Sequence, residues 1–377
     1  MTWNDYKTRP PLTALAPIPG YGKIFDSNYS PSEGHERAVA NWPLLPWPRG
    51  PLSAFVVSAL QRQPGTLGST PPISRTDALS DDDFELALYL CYEMHFRGLA
   101  SAEWAWDPGL KKFRSELERA FVNRLRDEIN DYTMHYTFDT VSALDEVIEE
   151  CAGSSLMSYF DDSGTVDQFR EFCVHRSVYQ FRTDYNVPDT TPQSEFDPVP
   201  ASTSVRFDDL GSSVDAQLRS SFFSTTMSAL GLDNSHGSYV EIVPGVTLAT
   251  VNLKSMFSFH PHWRAAMFGH AAASEVTSLE SMERYCRALN RFGLEAVGRR
   301  FVDVAVPFDA RRPLIARNQV FAELLTAEPK LATDVIFGAA AVLLLEQRFA
   351  DHLLDAWTED RTSLVPWETY ERQSPTP

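Results

Sequence analysis

The sequence has no long apolar run and no closely spaced cysteine pair, and each absence excludes a class of protein. Its longest apolar stretch, Val335 to Leu345, is too short to cross a bilayer, so we expect no membrane partner. The N-terminus lacks a basic segment followed by an apolar core, which predicts no secretory signal and a cytoplasmic location. The cysteines lie far apart without a CxxC pattern, which predicts buried free thiols in a reducing compartment. They are Cys91, Cys151, Cys173 and Cys286.

Several catalytic and nucleotide-binding motifs are also missing. The sequence contains no GxxxxGK[ST], HExxH, GxSxG or GxGxxG pattern, so nucleotide, zinc-protease, hydrolase and dinucleotide functions have no support. Its net charge is −18, and an acidic chain repels the phosphate backbone of nucleic acids. We therefore expect no nucleic-acid partner.

The first 75 residues are rich in proline and in tryptophan and tyrosine. Proline restricts regular helix, whereas so many aromatic side chains argue against a disordered tail. We predict that residues 1–75 form an irregular arm packed on the domain, with a short helix from Phe55 to Leu60.

From Ser80 onward the apolar pattern has a helical period. Asp81 to Asp83 predict a capped helix start, and the Asp107-Pro108 pair predicts another. The one strand-like alternation, Ser238–Val246, is weakened by Pro244. The prediction is a single all-α domain at residues 76–360 followed by a tail at residues 361–377. Further helices are predicted at Thr140–Glu150, Val166–Tyr185, Ser202–Leu210, Val214–Leu230, Leu248–Phe257, His262–Ser278, Ser281–Phe292, Asp309–Thr326 and Leu331–Trp357.

The stretch from His260 to Arg317 carries the most informative polar pattern. Glu275 projects from a helical segment whose other positions are mainly apolar or small, and a carboxylate in that setting needs a partner. Thirty residues later, steps of four and three residues place Ala305, Asp309 and Arg312 on one side of a second helical segment.

Several phrases carry a family resemblance across most of residues 80 to 358. They include LYLCYEMHFRG, EWAWDP, HRSVYQF, TTMSALGLD, YVEIVPGVTLATVN and DVIFGAAAVLLLEQRFADHLLDAW. The chain resembles the haem-oxygenase-like di-iron oxidases, in particular the actinobacterial group of iron-containing redox enzymes. The resemblance implies a haem-oxygenase-like helical bundle with an iron site between its helices.

The same resemblance implies seven iron-ligand positions in the chain. Asp209, Glu275 and Asp309 keep a carboxylate there. The remaining positions hold groups that offer iron no usable nitrogen lone pair or carboxylate. They are Thr183, Arg219, Ala305 and Arg312, of which the last three stand where the family has histidine.

The leading hypothesis is a metal-free enzyme without a cofactor. Arg219 and Arg312 supply the positive charge that would otherwise come from iron, and buried carboxylates resist joint ionisation without such charge. With Thr183 they would hold an anionic or amino-acid-like small molecule, while Glu275, Asp209 or Asp309 serves as general acid or base. One form of this chemistry is ring closure by an amine with loss of an anionic leaving group in specialised metabolism.

Other interpretations of the same residues stay open. One is an iron oxidase that uses the three carboxylates with unconventional ligands such as Glu93, His95 or His270, so that iron is the alternative cofactor. Another is a structural ion-pair network in an inactive scaffold. A homodimer or a biosynthetic partner protein is compatible with each.

Overall fold

The computed structural model describes residues 45–73, 77–96, 99–133, 156–181, 213–298 and 329–365. Within these ranges the chain forms helices and no strand, which confirms the predicted all-α class. Short 3-10 helices lie at Ala102–Trp106, Pro261–Trp263 and Pro329–Leu331. The α-helices are α1 (Pro51–Leu60), α2 (Asp82–Phe96), α3 (Pro108–Thr133), α4 (Leu156–Asp162), α5 (Val166–Gln180), α6 (Ser213–Ala229), α7 (Gly245–Phe259), α8 (Arg264–Arg291) and α9 (Ala332–Thr358).

Two aspartates at the start of α2 cap two different helices. Asp81 Oδ1 accepts a hydrogen bond from the Phe84 amide of α2 itself, at 2.7 Å. Asp83 accepts from the first amides of α1, with Leu52 N at 2.9 Å and Ser53 N at 2.7 Å. Such bonds satisfy amides that have no partner inside their own helix. The predicted capped start of α2 is confirmed, and its aspartates also fix α1.

The aspartate between them reaches a third helix. Asp82 Oδ1 accepts from the Gly245 amide at the start of α7, at 2.5 Å. A Cβ atom at Gly245 would stand 2.5 Å from the Ser80 carbonyl oxygen, so only glycine allows this approach. The triplet Asp81–Asp83 therefore holds the N-termini of α1, α2 and α7 at one end of the bundle.

The start of α3 also follows the sequence prediction. Asp107 Oδ1 accepts from the Leu110 amide at 2.9 Å, while its Oδ2 accepts from Gly65 N at 3.0 Å. Pro108 occupies the first helical position, where its missing N–H costs no hydrogen bond. Asp107 thus caps α3 and ties the irregular segment after α1 to it.

α8 and α9 form the most extensive helix pair, and they cross where each has a glycine. A Cβ atom at Gly269 of α8 would stand 1.8 Å from the Val335 carbonyl oxygen. A Cβ atom at Gly338 of α9 would stand 1.9 Å from the Ala266 carbonyl oxygen. The two backbones therefore pack in direct contact.

Two local predictions were wrong. The segments predicted at His262–Ser278 and Ser281–Phe292 are parts of one helix, α8. Thr277, Ser278 and Ser281 weaken a helix without ending it, and no proline interrupts the run. Ser238–Val246 is not a strand: its first part forms turns, and Gly245 already begins α7. The helix α4 was not predicted at all.

Some predicted elements lie outside the described residues, namely Thr140–Glu150, Ser202–Leu210 and Asp309–Thr326. None of the helices in the described ranges is both long and apolar enough to cross a membrane. Cys91, Cys173 and Cys286 are buried free thiols, as predicted, whereas Cys151 is outside the described ranges.

Candidate functional site

The side chains of the six predicted site residues lie outside the described part of the chain. For Arg219 and Glu275 the structure gives the backbone, which places them in α6 and α8. Nothing is described for the other four, which are Thr183, Asp209, Asp309 and Arg312. Their grouping into one site stays a prediction, but the described side chains of α5, α7, α8 and α9 can be examined directly.

An arginine–glutamate pair joins α5 to α9. Arg176 Nη1 donates to Glu346 Oε1 at 2.8 Å, and its Nη2 donates to the other carboxylate oxygen. The guanidinium carbon lies 4.2 Å from the centre of the Phe349 ring. Two parallel charge-assisted bonds of this kind hold a guanidinium in a fixed orientation. Arg176 precedes Thr183 by seven residues in the sequence.

Both side chains of this pair are partly exposed. The exposed fractions of the two side chains are 18% for Arg176 and 34% for Glu346. Burial alone would lower the pKa of Arg176, but the facing Glu346 carboxylate raises it above its ordinary value. The guanidinium is therefore permanently charged, with one edge held by glutamate.

A lysine and a histidine extend the polar surface from Arg176. The Lys254 ammonium of α7 lies 4.7 Å from the centre of the Tyr179 ring, one turn beyond Arg176 on α5. His270 of α8 is 3% exposed, and its Nε2 has no hydrogen-bond partner among the described residues. Burial and the charge of Lys254 lower the pKa of His270 to about 3. His270 is therefore neutral near pH 7.

We name Arg176, Tyr179, Lys254, His270 and Glu346 the interior cluster. It presents two fixed cations, one carboxylate, a phenol and a neutral imidazole. Iron needs several carboxylate or imidazole lone pairs converging on one point. In the described ranges, no group of three or more histidine, cysteine, aspartate or glutamate side chains could hold a metal ion. The interior cluster itself fits an anion better than it fits iron.

The alternative iron ligands Glu93 and His95 face different partners. Glu93 is fully buried, and its Oε1 lies 2.6 Å from His236 Nε2. His236 Nδ1 lies 3.2 Å from the Phe181 carbonyl oxygen, so this nitrogen carries a proton and donates. His95 Nε2 lies 3.2 Å from Arg114 Nη1 instead. No common ion can be bound between Glu93 and His95.

His236 is a residue that sequence reasoning missed. Its acceptor Phe181 ends α5 two residues before Thr183, and the Phe181 ring packs on Phe223 of α6 at 5.6 Å. Phe223 lies one turn beyond Arg219. The Glu93–His236 pair thus braces the end of α5, where the predicted site begins. No local sequence pattern marks His236, because it lies 143 residues from Glu93.

A second histidine–carboxylate cluster lies between α2, α3 and the α7–α8 corner. Glu118 Oε1 accepts from the Tyr92 hydroxyl at 2.7 Å and lies 2.9 Å from His260 Nε2. Burial would raise the pKa of Glu118, but the bonds from His260 and Tyr92 lower it overall. Since Arg114 can only donate, the His95 nitrogen that faces it must accept, so His95 is neutral. This cluster joins three elements and holds its carboxylate ionised.

A buried serine contacts a histidine near the C-terminal end, but the hydroxyl proton of this serine is not directed at the imidazole, as it would be in an activated nucleophile. Ser363 Oγ donates to Glu171 Oε2 at 2.7 Å, so the His175 Nε2–H, 3.0 Å away, donates to Ser363. The other His175 nitrogen accepts from Thr247 Oγ1 at 2.7 Å. Burial lowers the pKa of His175 well below its ordinary value, so it stays neutral. The serine proton is directed at a carboxylate, and the imidazole nitrogen that faces the serine carries a proton, so it cannot accept the serine proton. This group is therefore structural.

Comparison with known proteins gives one family match. Residues 170–347 match the family model described as iron-containing redox enzyme. The matched span begins in α5 and ends in α9, so it includes every position that the resemblance assigned to iron. No curated protein matches the chain.

Proposed function

We propose that the chain is an enzyme that uses a haem-oxygenase-like bundle for metal-independent acid–base chemistry. The match of residues 170–347 to the family model described as iron-containing redox enzyme supports the bundle. The substrate would be a small anionic or amino-acid-like molecule. The observation that carries the proposal is the interior cluster, which places the cations Arg176 and Lys254 on α5 and α7, two helices of the span that matches the family.

The roles of the residues follow from their chemistry. Arg219 and Arg312 would bind the anionic group of the substrate, since guanidinium holds carboxylate, sulfate or phosphate with two parallel bonds. Lys254 adds a third cation on the α7 side. Glu275 or Asp209 would accept a proton from the substrate, because a carboxylate within hydrogen-bond reach serves as a general base.

Intramolecular displacement is one reaction that suits these groups. The lone pair of a substrate amine forms a new C–N bond, and the leaving oxyanion departs with the electron pair of the broken C–O bond. Glu275 or Asp209 takes the proton released from nitrogen, while Arg219 and Arg312 stabilise the charge on the leaving group. Enclosure between helices favours the folded substrate conformer, which lowers the entropic part of the barrier.

An iron-dependent redox enzyme is the second candidate, and the family match favours it. Asp209, Glu275 and Asp309 are the residues that would hold iron, which would supply oxygen activation when bound. Of the described residues, the interior cluster offers iron one carboxylate, Glu346, which is already paired with Arg176, and one neutral imidazole, His270. We therefore derive no step through iron.

Iron content and anion binding separate the candidates. The protein would be purified after expression with added iron, and its metal content measured by mass spectrometry. We expect far less than one iron per chain, and a rise of the melting temperature with sulfate or phosphate that Arg312→Ala and Arg219→Ala abolish. Arg62→Ala removes an exposed arginine elsewhere and is the matched control.

Each contrary result has a clear meaning. Stoichiometric iron that Glu275→Gln or Asp309→Asn removes would replace the proposal with the redox enzyme. Absence of both iron and anion stabilisation would favour an inactive scaffold. Anion stabilisation that the Arg62→Ala control also loses would show nonspecific charge screening and would count against the site.

A further inference from the structure

The outer face of α3 carries a row of exposed cations. Lys112, Arg119 and Arg126 follow one another at intervals of seven residues and are all exposed. A seven-residue interval is close to two helical turns, so the three side chains lie along one face. At 1.5 Å per residue the row spans roughly 21 Å. We name these three residues the α3 basic row.

The other arginines of α3 are neutralised by carboxylates, whereas the basic row is not. Arg114 pairs with Glu118 at 3.3 Å, and Arg124 pairs with Asp77 at 3.1 Å.

For Lys112, Arg119 and Arg126, no described carboxylate lies within ion-pair distance. Arg126 instead lies 5.7 Å from the centres of the Trp263 and Phe337 rings. The chain has 51 acidic and 33 basic residues, so three aligned cations that form no ion pair among the described residues stand out from its overall composition.

A groove runs beside the basic row. Its volume is about 490 Å³, and the extended segment that precedes residue 74 forms its second wall. Pro71, Pro72 and Ile73 line that wall, and Ala120 and Arg119 line the α3 wall. Glu116, half-buried, also lines the groove and is its one acidic lining residue. Thr70 and Asn123 complete its lining, so the surface joins a groove of mixed polarity, with an apolar part at Pro71, Pro72 and Ile73, to a row of cations.

We propose that the α3 basic row and this groove dock an acidic amphipathic helix of a partner protein. A helix that carries glutamate or aspartate every seven residues presents anions about 10.5 Å apart, which matches the spacing of the row. The apolar stripe of the same helix would fill the proline-lined groove. Nucleic acid is the weaker occupant, because the net charge of −18 repels a phosphate backbone. This docking does not depend on the chemistry proposed for the interior.

A designed peptide tests the surface directly. The probe is an amphipathic helix of about 20 residues with glutamate at seven-residue intervals and leucine on the adjoining face, which spans roughly 30 Å. Its binding to the full chain would be measured by fluorescence anisotropy at low and high salt. We expect binding that weakens with salt, and a loss of about tenfold or more in Lys112→Glu/Arg119→Glu.

Matched reversals elsewhere make the test specific. Arg62→Glu/Lys330→Glu introduces the same charge change at exposed positions away from α3, and it should leave peptide affinity unchanged. Equal weakening in both double variants would overturn the proposal, as would no binding at low salt or tighter binding of duplex DNA to the same row. Self-association of the unmodified chain that Lys112→Glu/Arg119→Glu abolishes would also overturn it, because the row would then join two copies.

Discussion

Gly269→Ala should destabilise the fold more than any other single-methyl addition at the α8–α9 crossing. The added Cβ would meet the Val335 carbonyl oxygen at 1.8 Å, whereas ordinary contact begins near 3.4 Å. The two helices would have to separate by about 1.6 Å at this point. Val335 is fully buried, so the separation also opens space in the core. Neither helix can relieve the clash by turning a side chain, because the atoms that collide belong to the backbone.

The expected loss can be estimated from these contacts. Overpacking by one methyl group in a tight core costs about 1–3 kcal/mol, and backbone contact places this site at the upper end. Replacing glycine by alanine within a helix gains about 1 kcal/mol, which offsets part of the loss. We expect a net decrease of roughly 2 kcal/mol in the free energy of unfolding, or about 3 °C in Tm for the domain predicted at residues 76–360.

Thermal and urea unfolding followed by circular dichroism would measure this decrease. Gly338→Ala should give a similar loss, since its Cβ would meet the Ala266 carbonyl oxygen at 1.9 Å. The double variant should lose less than the sum of the two, because one separation of the helices relieves both clashes. Gly68→Ala is the control, as no atom lies within 4 Å of its added Cβ. An unchanged or higher Tm for Gly269→Ala would refute the direct backbone packing.

Three further predictions concern buried carboxylates. Burial raises the pKa of Glu85 well above its ordinary value. Over the pH range between the pKa in the unfolded chain and this raised pKa, only the unfolded chain ionises the group, so the free energy of unfolding decreases as pH rises. Glu85→Gln should remove that pH dependence, as measured by urea titrations, and should stabilise the protein at pH 8 because the new amide can donate to Asn252. An unchanged dependence of the unfolding free energy on pH would contradict this. Asp83→Ala removes the cap of α1 and should lower the unfolding free energy by about 1–2 kcal/mol, with Asp83→Asn losing less, as measured by thermal melts. The bonds from His260 and Tyr92 lower the pKa of Glu118, so its contribution to stability should be complete at neutral pH and disappear as pH falls through that lowered pKa. Glu118→Gln should therefore reduce the loss of unfolding free energy at acid pH.

Helix starts were predictable because their signals are local. Asp81 and the Asp107-Pro108 pair satisfy orphan amides within a few residues of their own position, so a short window contains the whole interaction. The continuity of α8 was not visible, since serine and threonine weaken a helical pattern without ending it.

The side-chain contacts of the interior cluster were less predictable, because they join residues that are distant along the chain. Arg176 and Glu346 lie 170 residues apart, and neither belongs to a motif that would mark it. The match to residues 170–347 supports the family resemblance. The assignment of Arg219 in α6 and Glu275 in α8 to a common site stays a prediction. It could not reveal Lys254 or His236, which come from α7 and from the turns before it, because the family pattern assigns no ligand there.

The aspartate triplet at the head of α2 has a consequence for how this protein unfolds. Three helices that are distant along the chain begin at hydrogen bonds supplied by one stretch of three residues. Fraying at any of these three ends would disturb the segment that anchors the remaining two. Slow amide hydrogen exchange should therefore appear at Leu52, Phe84 and Gly245 together, and all three should become labile in a single cooperative event.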